Sequence, residues 1–186
     1  AKKRQESLQD VPISGVAITA AAMQDANIDD MADIANFTPN LSVYSHPPFT
    51  SLRVRGLGSP FDKGFEHSAG LFLDGVYVGR LAFLDAAFLD VETVEILRGP
   101  QGTLFGKNTT GGALVFTTNR PVDEFEASVG GRLGNYDRHD GSFMVNLPVA
   151  ENLWTRLAGS SVNSDGWIKN AFDGEKFMNE DRQNLM

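Results

Sequence analysis

The residues best suited to chemistry lie in a glycine-rich segment around Lys107. Glycines stand at positions 99, 102, 106, 111 and 112, and a lysine in a glycine-rich loop is a common way to hold phosphate groups. The complete phosphate-loop pattern, G-x-x-x-x-G-K-[ST], requires glycine at position 101 and a hydroxyl residue at position 108. The sequence has Gln101 and Asn108 at these positions. Nucleotide binding by this loop is therefore disfavoured.

A second glycine pair, Gly56 and Gly58, matches only the start of a dinucleotide-binding fingerprint. Phe61 occupies the position of the third glycine, and Pro60 lies where the helix would begin. The surrounding sequence also lacks the strand–helix–strand pattern in which such a fingerprint works. The sequence therefore predicts no dinucleotide site here.

The remaining ionisable residues do not form a catalytic pattern. No Ser or Cys nucleophile motif accompanies the three histidines, which are His46, His67 and His139. A second group of carboxylates fits strand ends and turns: Asp85, Asp90 and Glu92. A third group fits the first turn of a helix, where carboxylates stabilise the positive end of the dipole: Asp29, Asp30 and Asp33. We therefore predict no enzyme, no cofactor and no protein-bound metal.

Composition excludes several further classes. The chain has 186 residues, no cysteine and a formal net charge of −8, so disulfide frameworks and cysteine-based zinc sites are ruled out. Residues 1–122 contribute −3 and residues 123–186 contribute −5, and neither part has the basic face that nucleic-acid binding needs. No apolar run approaches the ~20 residues of a spanning helix. The first residues lack the apolar core of a secretory signal, so we expect a trimmed chain if the protein is exported.

The glycine-rich loop must be positioned by the strands on either side of it. Residues 93–97 and 114–118 both alternate as strands do. Asp74-Gly75, between two short apolar runs, is the strongest hairpin signal in the chain. We expect Thr19 to cap a helix over 20–24 and Asn27 to cap a second helix over 28–37. The pattern indicates a small mixed sheet with two short helices.

Beyond Pro121 the pattern changes to longer alternating strands. Residues 126–133 and 141–147 each have one apolar and one polar face, and residues 154–162 form a third predicted strand that alternates less cleanly. Such strands are typical of the wall of a transmembrane barrel, and they also fit an antiparallel sheet with one face in water. Because three strands cannot close a barrel, we expect the chain to be a fragment, with residues 179–182 in a polar loop before a fourth strand.

Several motifs in a fixed order resemble the TonB-dependent receptors of Gram-negative outer membranes. These motifs are RQESLQDVP (4–12), SLRVRGLG (51–58), GLFLDGVYVG (70–79), LRGPQG (97–102) and LFGKNTTGGALVFTTNRP (104–121). They cover nearly all of the first 122 residues. The resemblance implies an α+β fold class: a small mixed-sheet plug with two short helices over 1–122, followed over 123–186 by the first antiparallel strands of an incomplete transmembrane β-barrel.

The resemblance also implies a function, which is ligand-gated active uptake across the bacterial outer membrane. In this family the plug occludes the barrel with its N-terminus facing the periplasm, and the inner-membrane protein TonB pulls on a box that would lie upstream of residue 1. The expected partners are TonB, outer-membrane lipid and a small-molecule substrate such as a metal chelate or glycan, with no nucleic acid. An iron–siderophore complex is the commonest cargo of the family, but the sequence does not identify the substrate.

Two groups of site residues follow from the resemblance. Arg55, Glu95 and Arg98 align with family positions that pair with lumen-facing barrel carboxylates or organise the plug core, although each can instead close a local salt bridge inside the plug. The outward plug loops correspond to 45–50, 58–67 and 79–83. Their predicted ligand contacts are His46, Phe49, Phe61, Phe65, His67, Arg80 and Phe83. Each phenylalanine can instead fold back onto its own core.

One alternative function stays open from the sequence alone. A surface-exposed binding or adhesion protein built on antiparallel sheet would show similar strands and would transport nothing. Many further ten-residue alternating strands after residue 186 would favour the transporter, and a native chain that ended near there would favour adhesion.

Overall fold

The computed structural model describes residues 14–46, 49–58, 68–79 and 88–186. The chain divides into two compact units, Ala1–Thr118 and Asn119–Met186. The described part of the first unit combines helices with mixed sheet, and the second unit consists of antiparallel strands. None of the helices in the described residues is long and apolar enough to cross a membrane.

The first unit contains two sheets and three short helices in its described residues. In chain order its elements are β1 (Gly15–Thr19), α1 (Ala20–Asp25), α2 (Met31–Phe37), β2 (Leu41–His46), β3 (Phe49–Val54), β4 (Leu57–Gly58), β5 (Ala69–Leu73), β6 (Val76–Tyr77), β7 (Val91–Arg98), α3 (Gly102–Phe105) and β8 (Gly112–Thr118). The larger sheet has the order β1-β7-β8-β5-β6, and β2, β3 and β4 form the smaller one. The larger sheet is mixed because β5 runs parallel to β8, whereas β7 is antiparallel to both β1 and β8.

Helix α1 begins where the sequence predicts. The Thr19 hydroxyl accepts a hydrogen bond from the Ala22 amide at 3.3 Å, which satisfies one of the amides that the first helical turn leaves unpaired.

Helix α2 begins three residues later than predicted, so Asn27 as its N-cap was wrong. Asp30 is the N-cap, and its Oδ1 accepts from the Asp33 amide at 2.9 Å. The Asp33 side chain also caps the helix, because its Oδ2 accepts a hydrogen bond from the Asp29 amide at 3.0 Å. Asn27 instead has a positive φ of 49° in the turn that closes α1, where its amide donates to Gln24 O. Two reciprocal carboxylate caps satisfy more free amides than one asparagine can.

The core of the first unit lies on one face of the larger sheet. It joins α2, the smaller sheet and the central strands through side chains that are at most 2% exposed: Ile34, Leu52, Val54, Val94, Ile96, Leu114 and Phe116. The opposite face carries a smaller buried cluster of Phe72, Leu97 and Ala113. Successive side chains of a strand point to opposite faces, so β7 supplies Ile96 to one cluster and Leu97 to the other.

The predicted hairpin at Asp74-Gly75 is confirmed. Both residues have positive φ, 48° and 82°, as a two-residue type I′ turn requires. Asp74 has a second function that the sequence did not predict, because its carboxylate accepts from the Thr118 amide at 2.9 Å and from the Thr118 hydroxyl at 2.8 Å. The hairpin therefore holds the end of β8.

The second unit is a four-stranded antiparallel sheet with a small two-stranded hairpin. Its elements are β9 (Glu126–Gly134), β10 (Arg138–Ala150), β11 (Leu153–Ser164), β12 (Ile168–Lys169), β13 (Lys176–Phe177) and β14 (Glu180–Leu185). The main sheet has the order β14-β11-β10-β9. The predicted turn after β9 is confirmed at Tyr136 and Asp137, which have positive φ of 60° and 54°.

The prediction of a polar loop over 179–182 was wrong from residue 180 onward. Glu180 to Arg182 belong to β14 and pair with Ser164 to Val162 of β11. Charged side chains are compatible with this strand because Glu180 and Arg182 form an ion pair on one of its faces.

Candidate functional site

The glycine-rich loop between β7 and β8 is a closed, hydrogen-bonded structure. The Gly99 amide donates to Gly111 O at 3.0 Å, and the Gln101 amide donates to Thr109 O at 2.9 Å. Between these rungs the chain forms α3, and the buried Thr109 hydroxyl donates to Gly106 O at 2.8 Å. The two strands thus continue as a ladder into the loop.

The amides of this loop are used within the protein. The Phe105 and Gly106 amides donate to Gln101 O and Gly102 O, and the Gly111 amide donates to Ser68 O at 2.7 Å. A phosphate-binding loop instead points its amides at the ligand. These amides therefore join the loop to itself and to Ser68, and the loop acts as a brace between strands.

Gly112 is the position where this brace most requires a glycine. Its φ is +154°, and a Cβ built on it would lie 2.3 Å from the Leu97 carbonyl oxygen. Gly112 pairs with Arg98 across the β7–β8 ladder, so the close approach is between two backbones. A backbone atom cannot move aside as a side chain can.

A side-chain contact that the sequence did not predict ties the loop to the hairpin of β5 and β6. Asn108 Nδ2 donates to the Tyr77 hydroxyl at 2.9 Å. The Phe72 ring lies 5.6 Å from the Tyr77 ring and 4.7 Å from the Phe105 ring, measured between centroids. The loop and the hairpin are therefore held together by one hydrogen bond and by a cluster of three rings in edge-to-face and tilted contact. Residues 77 and 108 are too far apart in the chain for any local pattern to pair them.

Two of the three predicted plug–barrel residues lie beside the loop. Arg55 has a positive φ of 54° and is exposed in a two-residue turn with Gly56, and its Nη1 lies 3.5 Å from a Cβ built on Gly99. Arg98 immediately precedes Gly99, is half-buried, and its Nε has no hydrogen-bond partner in the described structure. The two guanidinium-bearing residues therefore flank one turn.

Glu95 is not part of that arrangement. It lies within β7, half-buried, and pairs with Ala17 of β1 and Val115 of β8. Because side chains alternate along a strand, Glu95 and Arg98 point to opposite faces of the sheet. The structure thus separates a carboxylate and an arginine that are only three residues apart in the sequence.

Most of the predicted ligand contacts lie outside the described residues. Those outside are Phe61, Phe65, His67, Arg80 and Phe83. The backbones of His46 and Phe49 are described, and they pair with each other at the end of the β2–β3 hairpin. This pairing places the two residues at one end of the smaller sheet, and their contact with a ligand stays a prediction.

The second unit carries a charged network that sequence reasoning missed. Arg138 donates to Asp140 at 2.9 Å and to Glu180 at 3.2 Å, which joins β10 to β14. Arg132 Nε lies 4.0 Å from the same Asp140 carboxylate. The alternation of polar residues in the sequence indicates that these side chains share one face of the sheet. Which of them form ion pairs depends on the register between strands, which the sequence does not show. In the described ranges, no group of three or more His, Asp or Glu side chains is arranged to hold a metal ion.

The sequence matches the family model of the TonB-dependent receptor plug domain over residues 7–113, which is more than half of the chain. The chain belongs to this plug-domain family. Among curated relatives, the pesticin receptor of Yersinia pestis is 27% identical over 143 residues, or 76% of this chain and 21% of the relative. The ferric-pyoverdine BN7/BN8 receptor of Pseudomonas putida is 26% identical over 166 residues, or 86% of this chain and 19% of that receptor. The chain thus spans about a fifth of the length of the curated relatives it matches.

The structural likeness extends beyond the plug. The ferric yersiniabactin uptake receptor FyuA from Yersinia pestis superimposes with a TM-score of 0.73 at 25% identity, over 88% of this chain and 26% of that chain. The matched share is larger than Ala1–Thr118 alone, so it includes antiparallel strands of the second unit. The fold is therefore an α+β TonB-dependent receptor plug followed by part of a transmembrane β-barrel. TonB-dependent receptors are outer-membrane transporters rather than enzymes.

Proposed function

We propose that this chain forms the plug and the first barrel strands of a receptor that takes up a ferric siderophore across the outer membrane, energised by TonB. The observation that carries the proposal is the plug-family match over residues 7–113. It is supported by relatives named as receptors for pesticin, ferric pyoverdine and ferrioxamine. In this proposal residues 1–122 are the plug domain and residues 123–186 begin the barrel wall.

The two faces of the second unit fit that assignment. One face of the β9–β10 pair is apolar, with Val129 opposite Phe143 and Ala127 opposite Val145, and Val129 is 89% exposed. The other face carries the network of Arg138, Asp140 and Glu180. Apolar side chains suit lipid, whereas paired charges suit a water-filled lumen. We assign the first face to outer-membrane lipid and the second to the lumen.

The site residues take their functions from the same proposal. The outward plug loops contact the cargo through His46, Phe49, Phe61, Phe65, His67, Arg80 and Phe83. Arg55, Glu95 and Arg98 hold the plug in its closed position. Arginine suits this function because its planar group stays charged and binds a carboxylate through two hydrogen bonds.

The remaining partners follow from the direction of transport. The N-terminus of the plug faces the periplasm, where TonB engages a box upstream of residue 1 and applies the load that opens the channel. The braced loop between β7 and β8 resists that load, so opening must involve less stable parts of the plug.

Uptake of radiolabelled iron by a deletion strain tests the proposal. The strain carries the full-length gene and receives iron as hydroxamate, catecholate, mixed pyoverdine-type or thiazoline-type chelates, in the presence and absence of TonB. We expect accumulation of at least one chelate that requires both the gene and TonB. Binding of a chelate without accumulation would favour the non-transporting surface protein, and no binding of any chelate would refute iron uptake.

One variant and its matched control test the assignment of Arg98. R98A should raise uptake in the absence of TonB, because the closed plug loses one of the two charges beside Gly99 that hold it. R120A is the matched control, since Arg120 is exposed in the connection that follows β8. Equal uptake by the two variants would contradict the assignment of Arg98.

A further inference from the structure

Asn146 is a fully buried amide in the middle of a strand of the second unit. Its exposure is 0%, and its backbone pairs with Glu126 of β9 and Arg156 of β11. A buried amide side chain is costly unless both of its ends are hydrogen-bonded. Its side-chain partners therefore indicate what this position does.

Those partners belong to residues 119–125, which connect β8 to β9. Asn146 Nδ2 donates to Val122 O at 2.8 Å and to Glu124 O at 2.5 Å. The Val122 amide donates to Asn146 Oδ1 at 3.1 Å. One side chain thus makes three hydrogen bonds to the backbone of the connection.

The partners of residue 146 require an amide side chain. The contact needs two donors on one side-chain atom and an acceptor on the other, which an amide provides and a carboxylate does not. Aspartate would keep the acceptor for the Val122 amide but would place negative oxygens against two carbonyls. Alanine would leave the backbone groups without these partners.

We infer that Asn146 is an anchor that fixes residues 122–124 to strand β10. The role of this anchor in transport rests on the proposed function. When the plug is pulled, the chain before residue 122 can move while residues 122–124 stay on the barrel wall. Asn146 is then the positioning residue that sets where the movable part of the receptor ends.

Amide hydrogen exchange in the full-length receptor, purified in detergent, tests the anchor directly. We expect N146A to speed exchange of the Val122 amide by roughly tenfold or more, the effect of losing one or two net hydrogen bonds. N184A is the matched control, because Asn184 lies on β14 and donates a long hydrogen bond of 3.4 Å to Ser160 Oγ. N184A should leave exchange at Val122 unchanged, and Val145 and Leu157 report whether the sheet itself stays intact.

A second variant approaches the same contact from the connection. V122P removes the donor to Asn146 Oδ1 at a position that lies outside the strands. A spin label at D123C, with every cysteine outside these 186 residues replaced by serine, should gain mobility in both N146A and V122P and not in N184A. If N146A loosens the whole sheet, V122P still decides the question. An unchanged label in V122P, or an unchanged Val122 amide in an intact N146A, would overturn the anchor.

Iron uptake by the same strains separates this inference from the proposed function. A wild-type receptor that imports no chelate refutes the transport proposal even where the exchange data confirm the contact. Normal uptake by the wild type with no effect of N146A on exchange refutes the anchor alone.

Discussion

Replacing Gly112 with alanine is the sharpest test of how the glycine-rich loop is built. The new Cβ would lie 2.3 Å from the Leu97 carbonyl oxygen, roughly 1 Å inside ordinary van der Waals contact. Both groups belong to the β7–β8 ladder, so the strain can be relieved only by separating the strands near Arg98 and Gly112. The hydrogen bonds that continue the ladder into the loop, from Gly99 to Gly111 and from Gln101 to Thr109, should then weaken.

The expected cost has two parts. Holding a non-glycine residue at a φ of +154° costs about 1–3 kcal/mol. Forcing an extra methyl group into a packed site costs about 1–3 kcal/mol more, part of which overlaps with the first cost. We therefore expect the local free energy of opening to fall by about 3 kcal/mol, which is roughly a 100-fold increase in the opening equilibrium.

Native-state hydrogen exchange of the β7 and β8 amides in the full-length protein measures this change. G112A should speed exchange at these amides by about 100-fold. G102A is the matched control, because a Cβ on Gly102 meets nothing within 4 Å and alanine suits the start of α3. We expect G102A to be neutral or stabilising by up to about 1 kcal/mol.

Two results would refute this reasoning. Exchange in G112A within about threefold of the wild type would show that the ladder absorbs the methyl group without opening. Equal losses in G112A and G102A would show that the whole loop is sensitive to any added side chain, so that the close approach at Gly112 has no special importance.

Three further substitutions test other parts of the first unit. F116A removes a fully buried ring and should lower the free energy of unfolding by about 3–5 kcal/mol, measured by denaturant. V76A, at an exposed site, is the control and should change it little. Equal effects of the two variants would contradict the assigned core. D30A removes the cap of α2 and should cost about 1 kcal/mol, seen as faster exchange of the Asp33 amide. Unchanged exchange would contradict the importance of the Asp30 cap. D74A removes both acceptors from Thr118 and should cost about 1 kcal/mol, read as faster exchange of the Thr118 amide without loss of the β7–β8 ladder.

Local chemistry made several elements predictable from the sequence. Asp74-Gly75 required a two-residue turn with positive φ, and Thr19 offered the hydroxyl that caps α1. In both cases the deciding groups are neighbours in the chain, so the contact forms wherever the rest of the protein lies. The same is true of the alternation over 126–162, which depends only on the two-residue period of a strand.

The prediction of the second helix start shows the limit of that reasoning. Asn27 and Asp30 are both good N-caps, and the sequence alone does not rank them. The choice of Asp30 depends on how the chain closes α1 with Asn27 in a turn and on the reciprocal bond from Asp33 to the Asp29 amide.

The longer-range contacts could be decided only by the tertiary structure. Asn108 donates a hydrogen bond to Tyr77 across 31 residues of sequence, and Asn146 donates one to Val122 across 24 residues. Sequence patterns report which face a side chain occupies, but partners on that face depend on strand order and register, which arise when distant segments pair. The sequence was therefore enough to indicate the fold of a plug and the strands that follow it. The brace around Gly112 and the anchor at Asn146 emerged only once those segments were packed together.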